Sequence, residues 1–156
     1  MKNINLKERF IVKLINLPDQ NIFTSKAQAL VNPVNCVGVM GAGLAKQFKQ
    51  KYPNNFNRYH DICKSELLTI GKCLTVAEAG KLIVNFPTKD HWQNDSKIEY
   101  ILEGMKALLR HIEKYKIESI AIPALGCGLG KLDKDQVRLI IENSLKDLNI
   151  EVELYF

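Results

Sequence analysis

A chain of 156 residues, 46% hydrophobic and 25% charged, has the size and composition of one globular domain; fibrous, coiled-coil and disordered classes are excluded. No run of about 18 uncharged apolar residues occurs, which excludes a membrane-spanning helix, and the mixed-charge start from Met1 to Arg9 lacks the apolar stretch of a signal peptide. The expectation is a monomeric, cytoplasmic protein whose net charge of +5 favours acidic partners such as phosphates or nucleic acid.

In chain order, Phe10–Ile15 is β-branched and aromatic and reads as a strand. Gln28–Asn32 is a second short apolar run that ends in a polar loop. A helix is predicted from Ala42 to Gln50, with Leu44, Ala45 and Phe48 at helical spacing. Pro53 suits the first turn of another helix running toward Lys64. Cys73–Ala77 and Leu82–Phe86 read as strands around an Ala79-Gly80-Lys81 turn.

Ser96 and Glu99 have the spacing of a capping box. After them Ile98, Ile101, Leu102, Met105, Leu108, Leu109 and Ile112 make one apolar helical face. Ser119–Pro123 reads as a buried strand. Asp133 and Gln136 form a second capping box before a helix carrying Val137, Ile140, Ile141, Leu145 and Leu148. Glu151–Phe156 alternates and closes the chain as a strand. Strands alternating with helices predict a layered α/β domain with a mainly parallel sheet.

The cysteines (Cys36, Cys63, Cys73, Cys127) and histidines (His60, His91, His111) show no metal-ligand spacing, so free thiols and no metal are expected. Two loops stand out instead. The first, Asn32 to Gly43, runs from a strand into a helix, and contains Val39, Met40, Gly41, Ala42 and Gly43. Glycine lets the backbone approach an anion, and a helix start offers unpaired N–H groups with a partial positive charge. The loop matches neither the Walker A nor the Rossmann pattern. Lys46, Lys49 and Lys51 follow it and read as a solvated helix face. The second loop, Pro123 to Leu132, places Gly126, Gly128 and Gly130 at alternate positions beside Cys127 and Leu129. That pattern suits a nest of backbone donors. Either loop alone reads equally as a tight strand-to-helix turn. Two in one small domain point to a diphosphate held from both sides.

Ala29 to Asn35 resembles the Val-Asn-x-x-Asn strand end of the macrodomain family of ADP-ribose binders, Pro123 to Gly128 resembles its second phosphate loop, and the similarity runs from about Ile11 to the C-terminus. The resemblance implies a single macrodomain over 1–156, a three-layer α/β/α sandwich with a mixed, mainly parallel sheet, and no cofactor. Val37 to Phe48, with Asn85 to Trp92, is similar to the DNA ADP-ribosyl glycohydrolase branch, the antitoxins that reverse ADP-ribosylation of DNA bases. On that resemblance Asn21 and Ile22 meet the adenine end. Val39 to Gly43 and Gly126 to Gly130 hold the diphosphate, and Asn35 orients the distal ribose. Lys89 is catalytic. One chemistry proposed for the branch has the lysine amine attack the ribose C1″, which requires a neutral amine. The implied partners are ADP-ribose, ADP-ribosylated single-stranded DNA and a DNA-modifying toxin. Trp92 either stacks on a base or packs its loop down.

Some residues depart from the family pattern. Gln20-Asn21 replaces the Gly-Asp common before the adenine-site isoleucine. Gly130 stands where the cousins that cut glutamate esters carry an acid, which favours DNA. The antitoxins carry a further domain after the macrodomain, whereas this sequence ends at Phe156, as a stand-alone enzyme or an excised domain. Two other functions are compatible with the sequence: hydrolysis of ADP-ribosyl-glutamate esters on proteins, and non-catalytic reading of ADP-ribose.

Overall fold

The structure, a computed structural model, describes residues 13–156. Strands β1 (Lys13–Asn16), β2 (Ala29–Asn35), β3 (Leu74–Glu78), β4 (Lys81–Lys89), β5 (Ser119–Pro123) and β6 (Glu151–Tyr155) form one six-stranded sheet in the order β1-β6-β5-β2-β4-β3. Every neighbouring pair is parallel except β3 with β4, whose Ala79-Gly80 turn has φ values of 50° and 76°. Two successive positive φ values give the turn whose twist matches paired strands. The helices are α1 (Gly43–Lys51), α2 (Pro53–Lys64), α3 (Ile98–Lys114) and α4 (Lys134–Leu145).

The expected elements are present, with some shifts. Phe10, Ile11 and Val12 of the predicted first strand lie outside the described residues. β2 does not end at Asn32: pairing with β4 carries it through Pro33 to Asn35. Pro33 is tolerated because the ladder to β5 involves only Ala29 and Leu30, so that side demands no donor further on. Ser96 does not cap α3. The N-cap is Lys97, without a side-chain cap bond, and Ser96 is buried instead. Asp133 does cap α4, its Oδ1 accepting from the Gln136 N–H at 3.0 Å.

The sheet is covered on both faces. On one side Ile101, Met105, Leu108 and Ile112 of α3 and Val137, Ile141 and Leu145 of α4 pack on Ala29, Val31, Val84, Phe86, Ile120 and Ile122. Each such aliphatic burial contributes roughly 1.5–3 kcal/mol. Gly104 permits the close approach of α3, since a Cβ there would overlap the Phe86 ring. On the other side Phe48 of α1 packs on Leu30, Ile83 and Ala121, and Tyr59 and Cys63 of α2 pack on Val34 and Met40. This is the three-layer α/β/α arrangement.

One polar cluster sits inside that second layer. Asn32, Asn55 and Asn85 are each 0% exposed. The Asn85 Nδ2 donates to the Leu74 carbonyl at 3.0 Å and to Asn55 Oδ1 at 2.8 Å. Its Oδ1 accepts from Asn55 Nδ2 at 3.1 Å and from Asn32 Nδ2 at 3.2 Å. The Leu74 carbonyl thus fixes the orientation of Asn85, and Asn85 fixes the other two amides. The cluster ties β2, β4 and the start of α2 together directly beneath the first glycine-rich loop. Replacing Asn85 with alanine leaves several buried groups unpaired. We expect Asn85→Ala to lower stability by about 3 kcal/mol in urea denaturation; a loss below about 1 kcal/mol, the worth of a single ordinary hydrogen bond, would contradict this role.

Candidate functional site

β2 and β5 are neighbours in the sheet, yet their chains leave in opposite directions. β2 feeds α1 and α2 on one face, and β5 feeds α4 on the other. The divergence opens a crevice beyond their carboxyl ends, where ligands bind in open α/β sheets. Both glycine-rich loops start there.

The first loop is shaped from below by Asn35. Its Oδ1 accepts from the N–H groups of Val37 (3.1 Å) and Val39 (3.3 Å), and its Nδ2 donates to the Val39 carbonyl at 2.7 Å. Tyr59 of α2, fully buried, shares its hydroxyl proton between the Asn35 carbonyl and Oδ1, each 2.8 Å away. Burial raises the Tyr59 pKa, so the hydroxyl stays a donor. Gly38 (φ 81°) lies against α2: a Cβ there would be 3.2 Å from His60 Nδ1 and 3.3 Å from Cys63 Cβ. Burial, then Cys63, pushes the neighbouring Cys36 thiol up to about 11, so it stays protonated. Met40 is buried under the loop, while Gly41, Ala42 and Gly43 are exposed above it. α1 then begins without a side-chain cap and without an acid in its first turn. Its first N–H groups are therefore unpaired within the helix and carry its positive end.

The second loop is held by its own backbone. Cys127 N–H donates to the Ala124 carbonyl (3.1 Å), Lys131 N–H to Gly128 (3.1 Å) and Leu132 N–H to Gly126 (2.9 Å). Gly126 takes φ 73°. The N–H groups of Gly128, Leu129 and Gly130 donate to nothing among the described residues. Leu129 is 67% exposed, and its Cδ1 lies 4.0 Å from where a Gly43 Cβ would sit. The two loops therefore face each other across a narrow gap lined by uncommitted backbone donors. Such a gap suits an extended anion with a charge on each side.

Lys89 ends β4 and sits in register with Asn35, after a bulge between Val34 and Asn35. It is half-buried, and its Nζ donates to the Trp92 carbonyl at 3.4 Å. Trp92 is 52% exposed, with its ring centroid 5.4 Å from that of His91. Asp90 Oδ1 accepts from Asn94 Nδ2 (3.1 Å) and the His91 N–H (2.8 Å), and the Asn94 bond leads in holding its carboxyl below the usual range.

A cleft of about 240 Å³ lies beside the loops, lined by Gln20, Asn21, Ile22, Leu44, Gln47, Pro123 and Tyr155. Asn21 and Ile22 are thus next to α1 of the first loop and to the end of β5. Asn21 Oδ1 accepts from the Phe23 N–H at 2.9 Å, while its Nδ2 makes no hydrogen bond among the described residues. Leu44 and Pro123 stand out in the sequence only as a helical-face position and a loop start, and Tyr155 only as part of a closing strand; nothing local marks any of them as cleft-lining. Tyr155 donates to Glu153 Oε2 at 2.7 Å; burial, then that carboxylate, pushes its pKa up to about 12. The structure so brings Asn35, Lys89 and both loops to one crevice and sets Asn21 and Ile22 in the adjoining cleft. If Asn35 shapes the first loop, Asn35→Ala should accelerate amide exchange at Val37 and Val39 by about tenfold or more. Unchanged protection at both amides would contradict it.

Compared with known proteins, residues 31–141 match the family model described as Macro domain. The chain is 40% identical over 148 residues to a DNA ADP-ribosyl glycohydrolase of Mycobacterium tuberculosis, covering 91% of this chain and 42% of that protein. The chain thus spans about two fifths of the length of that curated relative. It superposes on the solved macrodomain of Mycobacterium tuberculosis DarG with a TM-score of 0.85 at 40% identity, covering 92% of this chain and 97% of that one. A Thermosipho africanus DarTG structure in complex with ADP-ribose also gives a TM-score of 0.85, at 34% identity over 92% of this chain and 41% of that one. With a family match that runs from β2 into α4 and a superposition that covers 92% of its length, this chain belongs to the Macro domain family.

Proposed function

We propose that this chain binds ADP-ribose and removes it from ADP-ribosylated DNA bases, reversing a toxin's modification. The observation that carries the reading is the crevice between β2 and β5. There uncommitted N–H groups of both loops face each other, and Lys89 is in register with Asn35. The diphosphate lies between Val39–Gly43 and Gly126–Gly130. The adenine end extends into the cleft of Asn21 and Ile22, and the distal ribose lies toward Asn35 and Lys89. Relatives with the same domain are named DNA ADP-ribosyl glycohydrolase, which supports the substrate.

In this reading the Lys89 amine attacks the ribose C1″. The bond from C1″ to the base breaks, its electron pair leaves with the base, and the base takes up the proton that the attacking nitrogen releases. Water then cleaves the ribosyl–lysine bond and frees the amine. The backbone donors hold the diphosphate throughout, so the reacting carbon is presented to the amine at a fixed position. Residues 1–156 act as a single macrodomain, a monomer, working in the cytoplasm. Among the described residues no helix is long and apolar enough to cross a membrane.

One observation weighs against the glutamate-ester alternative. The acid of that branch would stand at position 130, where a Cβ would overlap the Ser96 hydroxyl and lie 2.5 Å from the Gly126 carbonyl oxygen. There is no room for one without moving backbone.

The test is release of free ADP-ribose from ADP-ribosylated single-stranded DNA. The wild type is expected to release it. Lys89→Ala should lose about a thousandfold or more in turnover, as nucleophile removal does, while its affinity for ADP-ribose stays within about threefold, the binding groups being untouched. Turnover by Lys89→Ala would remove the lysine from catalysis. Cleavage of glutamate esters alone would favour the protein substrate, and binding without turnover on either substrate would favour a reader.

A further inference from the structure

Ser96 lies in the segment that leads from Lys89 into α3, and it is 6% exposed. Its N–H donates to the Gly130 carbonyl at 3.1 Å. Beside it, Asp95 pairs with Lys131 at 3.2 Å. These contacts stitch the segment carrying Lys89 and Trp92 to the second glycine-rich loop. The side chain fills the bend of that loop. A Cβ on Gly126 would lie 3.2 Å from Oγ, and one on Gly130 would overlap it. Oγ is fully enclosed, yet it has no hydrogen-bond partner among the described residues.

An enclosed, unpaired hydroxyl is unfavourable for the state that contains it. Alanine would occupy most of the same space without that penalty, so the hydroxyl serves some other state of the loop. Gly128, Leu129 and Gly130 keep uncommitted N–H groups, and an anion seated on them selects among orientations of the peptide groups around Oγ. A ligand shifts such an equilibrium only through interactions that differ between the states, and the Ser96 hydroxyl is a group whose pairing can differ.

We propose that Ser96 is a positioning residue for ligand binding: its hydroxyl pairs with the 126–130 backbone when the diphosphate is seated, coupling the filled phosphate loop to the segment that holds Lys89. The proposal rests on the reading that the diphosphate of ADP-ribose occupies this loop. It explains why position 130 is glycine, and it replaces the capping role that the Ser96-to-Glu99 spacing suggests.

The test compares wild type with Ser96→Ala in calorimetric titrations with free ADP-ribose and in thermal unfolding without ligand. The two readouts should move in opposite senses. The ligand-free Tm of Ser96→Ala is unchanged or higher, because an unpaired buried hydroxyl is gone, while Kd for ADP-ribose rises about tenfold. An unchanged or lower Kd overturns the proposal. So does a weaker Kd accompanied by a drop of several degrees in Tm, which marks a serine that only supports the fold. A wild-type chain that fails to bind ADP-ribose at all overturns the reading of the loop, and the proposal with it.

Discussion

Two neighbouring parallel strands, β5 and β2, send their chains to opposite faces of the sheet, and no helix can cover the gap left beyond their ends. The rest of the molecule is arranged around that gap. Each loop leaving it must turn sharply from a strand toward a helix, which calls for glycine at Gly38 and Gly126, where φ is 81° and 73°. Each loop also lies outside the regular ladders, so part of its backbone has no partner inside the fold. In most loops water takes those groups. Here they face one another, with the positive end of α1 behind one set and the turns after Gly126 behind the other.

Such loops need rigid support, and short polar side chains supply it where backbone pairing stops. Asn35 takes over from the β2 ladder, using one amide to mimic three backbone contacts across Val37 and Val39. Tyr59 reaches up from α2 to hold that amide in place. One layer below, Asn85 links Asn32, Asn55 and the Leu74 carbonyl into a fully buried cluster. On the far side of the crevice Ser96 fills the bend between Gly126 and Gly130. Site and core are therefore continuous: the elements that carry Lys89 and the first loop are fastened to each other through buried amides.

Much of this was legible in the residues. The apolar stripe of α3, the Ala79-Gly80 turn, the alternation of strands and helices and both glycine-rich loops follow from local periodicity and backbone preference. Those are properties of a few adjacent residues. Ser96 misled, because Ser-x-x-Glu is as good a capping spacing as any; only the approach of the 126–130 loop, some thirty positions away in sequence, makes burial the better use of that serine. β2 likewise runs past the apolar stretch that ends at Asn32, because the β5 ladder stops at Leu30 and asks no donor of Pro33. Tyr59, Asn55 and Tyr155 carry no local signal of their roles, and Leu44 shows only a helical spacing. Their positions depend on how α2 packs, how α1 starts and where β6 ends, which are tertiary outcomes. Lys89 stands out only through the resemblance and remains a proposed catalyst, since a lysine after a strand is ordinarily a solvated charge.

The most direct test of the central idea, a diphosphate held between two facing loops, is an amide NMR titration with ADP-ribose. The largest shifts should fall on the N–H groups of Gly41, Gly43, Gly128, Leu129 and Gly130 together, saturating at one common Kd, with smaller shifts at Ile22 and Leu44. Shifts confined to one loop, or centred on the separate cleft of about 370 Å³ lined by Asp90, Gln93, Asn94, Asp95, Lys97 and Tyr100, would contradict it.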